Sequence, residues 1–166
     1  TSGTGKDVVV QVTPGGDDAA QLTVETGAID GVQTLRVIYP ENKIIYPEMG
    51  RGSTTTLRVR DDGRLGGGKG GDGANRVTLT GSGSGFEAHA DLAIQVPAGK
   101  TLRLRIGAGD MDVNNVKAVM LDLDSSSGPI TCNHTQADLR LDTGSGDVRV
   151  SAAMGDVLVD TGSGDV

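Results

Sequence analysis

Two stretches near the end of the sequence carry the same six residues, and this repeat decides the fold. Asp142-Thr-Gly-Ser-Gly-Asp147 recurs, 18 positions later, as Asp160-Thr-Gly-Ser-Gly-Asp165. Each motif follows a short apolar-x-apolar strand, so a unit of nine residues contains one strand, one polar corner and a closing Gly-Asp. Repetition at a short fixed period is typical of solenoids, in which each unit buries its apolar face against its neighbours.

The same unit can be followed upstream in one frame. Units begin at positions 102, 111, 121, 130, 139, 148, 157 and 166, and the unit from Met111 to Met120 is one residue longer than the others. Like corners recur at every second unit, which predicts a full turn of 18 residues with two strands and two corners. The sequence leaves a three-sided turn open. Residues 18 positions apart are expected to lie over each other.

Alternation within each strand separates inward from outward positions, because successive side chains of a strand point to opposite faces. The predicted interior positions are Leu102, Leu104, Leu121, Leu123, Ile130, Cys132, Leu139, Leu141, Val148, Val150, Val157 and Val159. The predicted corner positions are Gly144, Gly146, Asp147, Gly162, Gly164 and Asp165. Both glycines of each corner are expected to supply the positive φ that a tight reversal requires.

These patterns predict an all-β chain. The C-terminal half is expected to be a parallel β-solenoid, of the β-helix or β-roll kind, with 18-residue turns. Residues 1–64 are expected to form irregular β-strands that pack on the solenoid or continue it, and 40–43 read as a hairpin-like connection. Residues 65–85 are predicted to be a Gly-rich loop, and 86–166 the solenoid repeats. The alternative fold is an antiparallel meander with Gly-rich turns.

The amino-acid composition argues against several classes of function. The chain has 15 Lys and Arg against 22 Asp and Glu, a formal net charge of -7, which disfavours nucleic acid because phosphate contacts need clustered basic side chains. Two Tyr, one Phe and no Trp disfavour the sugar-stacking cleft of a polysaccharide lyase or hydrolase. Gly81-Ser-Gly-Ser-Gly85 matches the bare nucleophile-elbow pattern but lacks the following helix. We therefore predict a non-enzymatic protein without a cofactor.

Metal binding is a minor hypothesis. Asp124, Asp142 and Asp160 are spaced by 18 and should form one column of carboxylates, the oxygen ligands that Ca²⁺ prefers. The competing interpretation is that each aspartate caps its own corner by accepting hydrogen bonds from the following amides. Cys132 and His134 are two positions apart, but the frame points Cys132 inward as a small core residue. No Cys or His cluster with zinc spacing exists.

The order of these elements is similar to a known family. Asp91-Leu-Ala-Ile-Gln-Val-Pro-Ala-Gly99, then Leu102-Arg-Leu104, then successive Gly-Asp-apolar-x-apolar units resemble bacterial adhesin-type β-solenoid domains, which are widespread in exported and envelope proteins and have no assigned function. The resemblance covers residues 86–166 well and 1–64 loosely. It implies a β-helical fold, an exported location and an adhesive or scaffolding role, and it supplies no catalytic motif.

The function expected from these observations is an exported structural or adhesive module of the bacterial cell surface or extracellular matrix. One alternative is a self-assembling extracellular filament subunit, because Val166 opens a new unit and Thr1–Val10 begins with a similar corner and strand. The open end would then stack on the next molecule, whereas a longer array or further disordered residues would explain it equally well. Another alternative is a calcium- or carbohydrate-binding module. Expected partners are the chain itself or other surface and matrix components, without a membrane span.

Overall fold

A computed structural model describes residues 1–60 and 74–166, and it confirms the all-β prediction. In the described residues the helical content is limited to two single 3₁₀ turns, Ala19–Gln21 and Pro47–Met49. The strands are β1 (Ser2–Gly3), β2 (Val9–Gly15), β3 (Thr23–Ile29), β4 (Val32–Ile38), β5 (Lys43–Ile45), β6 (Thr54–Arg60), β7 (Ala74–Thr80), β8 (Phe86–Glu87), β9 (His89–Pro97), β10 (Thr101–Ile106), β11 (Met111–Ser125), β12 (Ile130–Thr143), β13 (Val148–Met154) and β14 (Val157–Thr161).

The chain divides into two compact units. Thr1–Gln11 together with Leu92–Val166 form the first unit, and Val12–Asp91 form the second. The sequence-based ranges 1–64, 65–85 and 86–166 remain a prediction, because the boundary between the first two lies outside the described residues. Within the range 65–85, the described residues 74–80 form strand β7.

The first unit contains the parallel solenoid. Strand β10 pairs with β11, β11 with β12, and β12 with both β13 and β14, and every one of these pairs is parallel. Leu121 lies beside Leu139, and Leu139 beside Val157, as the 18-residue frame predicts. The antiparallel meander is therefore wrong for this part of the chain.

The offset between neighbouring coils changes once. It is 19 residues where Leu102 meets Leu121 and 18 where Leu121 meets Leu139. The register shifts between Lys117 and Met120, which is where the extra residue of the longer unit is accommodated. A bulge of this kind absorbs an insertion without displacing the apolar positions that follow it. The coils thus span 102–120, 121–138 and 139–156, followed by 157–166.

Each coil has three strand segments rather than the predicted two. In the third coil the paired segments are 139–143, 148–151 and 153–154. The additional break is a residue with positive φ that is not glycine, namely Asn115, His134 and Ala152 in successive coils. Because these three residue types share no obvious turn signature, the spacing of the Gly-Asp motifs could not reveal this break.

The interior of the stack is a continuous column of small aliphatic side chains. Leu121, Leu123, Ile130, Cys132, Leu139, Leu141 and Val148 are buried in one cluster, together with Val96, Met111, Val116 and Ala137. Leu102, Leu104, Val150 and Val159 are partly buried against it. Val157 holds its place in the ladder, but it is 44% exposed because β14 is flanked by one strand, β12, in the described part of the sheet.

The two glycines of each corner serve different purposes, which corrects the prediction that both supply positive φ. Gly146 has a φ of 151°, and a Cβ there would also lie 2.3 Å from the Gly128 carbonyl oxygen of the preceding coil. Gly144 has no positive φ, yet its Cβ would lie 2.7 Å from the Ser126 oxygen. Corners therefore stack backbone on backbone, and glycine is required at both positions by close approach.

The first residues of the chain also belong to this unit. Ser2 and Gly3 pair in parallel with Val96 and Pro97 of β9. The Ser2 hydroxyl oxygen accepts a hydrogen bond from the Lys117 amide at 2.9 Å, on the segment that follows the positive-φ corner of the first coil. Strand β1 thus pairs with β9 and accepts one side-chain hydrogen bond from β11, and both partners come more than 90 residues later in the sequence.

The second unit is built differently. Strands β3 and β4 form an antiparallel hairpin in which Ile29 pairs with Val32, and Asp30 and Gly31 between them both have positive φ. An Asp-Gly pair of this kind is a strong hairpin signal. The hairpin-like reading of 40–43 is wrong, because β4 pairs with β3 whereas β5 pairs in parallel with β7 and β8.

A four-stranded mixed sheet, in the order β6-β7-β5-β8, completes the second unit. Ile44 and Ile45 of β5 are buried together with Leu57, Leu79 and Phe86. Phe86 meets Tyr39 edge to face with the ring centroids 6.3 Å apart, a favoured aromatic geometry. Burial and the negative charge of Asp91 raise the pKa of Tyr39.

Candidate functional site: the charged face of the coil stack

The outward side chains of β10 and of the strands stacked on it form two parallel columns, which we call the charged face. One column runs Arg103, Asp122, Arg140 and Leu158, and the other runs Arg105, Asp124, Asp142 and Asp160. The register of the ladder fixes these positions, since directly paired residues point to the same side of a sheet. The result is a rigid array of charges spaced by about 4.8 Å from coil to coil.

Arg105 fixes the upstream end of the charged face. Its Nη2 donates to an Asp122 carboxylate oxygen at 3.0 Å, and its Nε lies 3.1 Å from an Asp124 carboxylate oxygen. Its Nη1 donates to the Leu104 and Asp122 carbonyl oxygens. Asp122 is only 8% exposed, so this network places a nearly buried carboxylate under a guanidinium. Arg140, the ladder neighbour of Asp122 on the other side, is exposed, and Asp122 forms ion pairs with Arg105 and, at 3.6 Å, with Arg103.

The aspartates in the second column influence one another. Burial raises the pKa of Asp124, and the neighbouring charges of Asp142 and Asp122 raise it further, while Arg105 opposes them. Stacked like charges at ladder spacing repel, so the ionised column is held at some electrostatic cost. Near β14, the charged face therefore contains more acidic than basic side chains. The carboxylates there can accept hydrogen bonds or attract cationic groups.

The calcium hypothesis concerned this same column. Asp124, Asp142 and Asp160 do occupy one register column, with Asp142 and Asp160 exposed. Among the residues that the structure describes, no three Asp, Glu, His or Cys side chains lie close enough to hold a metal ion. The column is thus a line of separate carboxylates rather than a coordination shell, and calcium binding stays a prediction without geometric support.

A different set of aspartates caps the corners. The Asp147 carboxylate accepts a hydrogen bond from the Asp165 amide at 3.2 Å, and the Asp138 carboxylate accepts one from the Asp156 amide at 3.1 Å. Each bond therefore joins a coil to the next one, 18 residues on. The Asp165 amide, with help from Arg149, lowers the pKa of Asp147. The aspartate that closes a unit therefore links two neighbouring coils by a hydrogen bond, in addition to ending a local turn.

The two threonines of the repeated motif perform a related task. The Thr143 hydroxyl donates to the Gly128 carbonyl oxygen at 3.1 Å, and the Thr161 hydroxyl donates to the Gly146 carbonyl oxygen at 3.3 Å. Both bonds join a threonine to the last glycine of the corner in the preceding coil. The motif Asp-Thr-Gly-Ser-Gly-Asp thus contains a hydroxyl, two space-limited glycines and a carboxylate that all act between coils.

One polar column was missed from the sequence. The Asn133 amide donates to the Asn114 side-chain oxygen at 3.2 Å, and the Ser151 hydroxyl donates to the Asn133 side-chain oxygen. These residues precede the positive-φ corner residues Asn115 and His134, and they extend along the stack as a hydrogen-bonded ladder. The signal was present, because all three occupy the fourth place of their units, but the third member is serine rather than asparagine.

Cys132 and His134 do not form a site together. Cys132 is fully buried in the interior cluster, and desolvation raises the pKa of its thiol to about 11. The thiol therefore stays protonated near neutral pH, which makes it a poor ligand and a poor nucleophile. His134 lies on the outside, at the positive-φ corner.

One of three comparisons of the chain with known proteins finds a match. No curated protein and no solved structure matches it. Within the described residues, the structure contains no helix of the length and apolarity needed to cross a membrane. A family profile named Toastrack DUF4097 matches residues 42–166, a longer stretch than the 86–166 that the adhesin-type resemblance covers well. That match covers well over half of the sequence and all of the parallel ladder from β10 to β14, so the chain belongs to the Toastrack family of β-solenoid-like domains.

Proposed function

We propose that this chain is a structural and adhesive module that is exported to the bacterial cell surface or extracellular matrix. The observation that carries the proposal is the continuous parallel ladder of β10 to β14, which holds the charged face at fixed spacing over a dry interior. The resemblance to exported adhesin-type solenoids supplies the expected location. The Toastrack assignment itself specifies a fold and leaves the activity open.

The ladder suits a load-bearing role for physical reasons. Backbone hydrogen bonds join every coil to the next, and aspartate caps and threonine hydroxyls add further bonds from the second coil onward. Separating two of these coils therefore requires many bonds to break together. The interior side chains between coils are almost fully excluded from water. Repeat stacks of this kind draw their stability from nearest-neighbour interfaces, and they present extended surfaces for binding.

The charged face is the surface that we assign to contact with a partner. Arg140 and Asp142 are exposed, whereas Arg105 and Asp122 beneath them are fixed by their mutual hydrogen bonds. A rigid array of this type binds a charged surface or polymer without first being ordered, which lowers the entropic cost of association. Binding of this kind would weaken as salt rises, because exposed charges are screened.

Two measurements test the proposal. Antibody labelling of intact producing cells should detect the chain outside the membrane, and labelling only after lysis would refute the location. Beads coated with the purified chain should adhere to those cells or their matrix. The double variant Arg140→Glu with Asp142→Lys, which preserves net charge, should reduce bead retention at least about threefold by disrupting the charge pattern.

A matched control separates the charged face from charge in general. Arg36 and Glu25 form an ion pair 2.8 Å apart on the β3–β4 hairpin, so Arg36→Glu with Glu25→Lys makes the same exchange elsewhere. The control beads should be retained as well as wild-type beads. Equal losses in both double variants, or none in either, would contradict a specific role for the charged face.

A further inference from the structure

The mixed sheet of the second unit carries basic side chains on one of its two faces. In β6, the side chains at even-numbered positions are exposed, whereas Leu57 between them is buried. Arg58 of β6 pairs directly with Arg76 of β7, and both side chains are exposed. Because directly paired residues point to the same side of a sheet, the two guanidinium groups lie next to each other.

Two further cations share this side of the sheet. Arg60 lies two positions beyond Arg58 on the same strand. Lys43 of β5 pairs in parallel with Thr78, which lies two positions from Arg76 on β7. The spacing of neighbouring cations is therefore about 5 Å across the arginine pair and roughly 7–8 Å elsewhere. We call this surface the basic face, and its members are Lys43, Arg58, Arg60 and Arg76.

The basic face contains no opposite charge, although the net charge of the chain is -7. Strands β5, β6 and β7 have no Asp or Glu. Among the residues that the structure describes, the arginines in ion pairs all lie elsewhere, at Arg36, Arg103, Arg105 and Arg149. Like charges directly opposite each other in a ladder repel, so the pair of Arg58 and Arg76 costs free energy in the free chain. An oxyanion bound between them would remove that cost.

The arrangement of the basic face indicates an extended anionic partner. A guanidinium group binds carboxylate, sulfate or phosphate oxygens through paired N–H groups. The cations are spread over three strands instead of converging on one point, which suits a row of anions along a polymer. Thr56 and Thr78 pair with each other beside the arginines, and their hydroxyls can bond to polar groups between the anions.

The same residues argue against two other classes of anionic partner. Single-stranded nucleic acid is held largely by stacking of its bases on aromatic side chains, and β5, β6 and β7 contain no aromatic residue. Stable binding to an anionic membrane combines basic residues with apolar side chains that enter the lipid. The exposed neighbour of the arginines on β6 is Thr56.

We propose that the basic face binds an acidic polysaccharide, whose carboxylate or sulfate groups are held by Arg58 and Arg76 and, farther along the polymer, by Lys43 and Arg60. The inference goes beyond the proposed role of the charged face, because it concerns a different surface and a partner of defined chemistry. It is tested on the purified chain without cells. Failure to bind the polymer would leave adhesion through the charged face intact, and loss of that adhesion would leave polymer binding intact.

Binding to a defined polymer tests the proposal directly. Polygalacturonate, an extended chain of carboxylates, is the probe, and dextran is the neutral control. In biolayer interferometry at about 50 mM salt, the wild-type chain should bind polygalacturonate but not dextran, and binding should weaken as salt rises. Arg58→Gln with Arg76→Gln should weaken binding at least about tenfold, because it removes two charge-assisted contacts.

A matched variant separates the basic face from net charge. Lys100→Gln with Lys117→Gln removes the same charge at exposed positions of the first unit, and it should bind polygalacturonate as well as wild type does. Equal losses in the two double variants, or a wild-type chain that does not bind, would overturn the proposal.

Other occupants give different results in the same assay. Binding of poly(dT), or of phosphatidylglycerol vesicles, that is as tight as that of polygalacturonate would overturn the assignment to a polysaccharide. Sedimentation velocity tests whether a second copy occupies the basic face. A wild-type chain that self-associates, beside an Arg58→Gln with Arg76→Gln variant that stays monomeric, would also overturn the proposal.

Thermal melting distinguishes a binding role of the arginines from a structural one. Without polymer, Arg58→Gln with Arg76→Gln should melt at or above the wild-type temperature, because the substitutions remove a repulsion. Polygalacturonate should raise the melting temperature of the wild-type chain, since a ligand of the folded state stabilises it, and should leave that of the variant unchanged. A variant that melts well below wild type without polymer would assign the arginines a structural role and overturn the proposal.

Discussion

The coil stack and the β3–β4 hairpin are both made of β-strands, but they are stabilised in different ways. In the stack, Leu139 has a neighbour in the coil before it and another in the coil after it, and its side chain is almost completely buried. In the hairpin, each residue pairs once, and Val24 and Val32 are largely exposed. The stack therefore depends on contacts between distant residues, whereas the hairpin depends on its turn.

The two regions should differ most in how much stability is lost when a side chain is shortened to alanine. Leu141→Ala removes a side chain that is almost fully buried between coils, and we expect it to lower the free energy of unfolding by about 2–5 kcal/mol. Val24→Ala removes a largely exposed side chain from the hairpin and should cost less than about 0.5 kcal/mol. Urea unfolding followed by far-UV circular dichroism measures both. Similar costs would show that the stack interior is not the main source of stability.

Substitution of one glycine in each region tests the same comparison. Gly146→Ala would combine a backbone conformation with φ of 151° and a Cβ 2.3 Å from the Gly128 oxygen, and we expect a loss of about 3 kcal/mol. Gly27 lies in β3 without positive φ, and a Cβ there would meet nothing within 4 Å. Gly27→Ala should therefore change the free energy of unfolding by less than about 0.5 kcal/mol. A well-tolerated Gly146→Ala would contradict close stacking of the corners.

Buried hydroxyls should give effects of opposite sign within the stack. The Thr143 hydroxyl donates to the Gly128 oxygen, so Thr143→Val should destabilise by about 1 kcal/mol. The Thr135 hydroxyl is fully buried without a hydrogen-bond partner, so Thr135→Val should stabilise by up to about 1 kcal/mol. Both substitutions preserve shape, and thermal melting of the two variants beside wild type measures the difference. Shifts in the same direction would contradict this assignment of the hydroxyls.

The repeat explains why the sequence predicted one region better than the other. Once the frame starting at 102 is recognised, the pairing of Leu121, Leu139 and Val157 follows, because like units stack on like units. Even the longer unit that begins at Met111 was visible, and the register shift after Lys117 accommodates it. No comparable repeat covers the second unit, so its long-range pairings between β5, β7 and β8 could not be derived.

Local signals in the second unit were also overlooked. The Asp30-Gly31 pair, between two short apolar stretches, predicts a two-residue hairpin, and the structure has one there. Residues 40–43 contain Pro and Asn, which are common in turns of many kinds, but they do not join a hairpin. In the charged face, the sequence predicted the columns but not the ion pairs. Arg105 reaches Asp122 and Asp124 diagonally, which depends on side-chain length and on burial rather than on spacing.

Acidification should affect two aspartates of the stack in opposite ways. Because the pKa of Asp147 is lowered in the folded chain, its contribution to stability is present above the unfolded pKa of about 3.9 and is lost as pH falls through its folded value. Because the pKa of Asp124 is raised, the folded chain binds that proton more readily. The contribution of Asp124 to the free energy of unfolding therefore becomes more favourable as pH falls through its raised folded pKa toward the unfolded pKa of about 3.9.

The smallest expected effect isolates the repulsion within the acidic column. Asp142→Asn removes one of the neighbouring charges that raise the pKa of Asp124, so that pKa should fall. Carboxyl carbon chemical shifts followed from pH 2 to 7 by NMR would measure it. Asp112→Asn provides the control, since Asp112 is exposed on a different segment of the coil and is not among the charges that influence Asp124. If the pKa of Asp124 did not move in Asp142→Asn, desolvation, Arg105 and Asp122 would set it without Asp142, and the column would be a set of independent carboxylates rather than a coupled one.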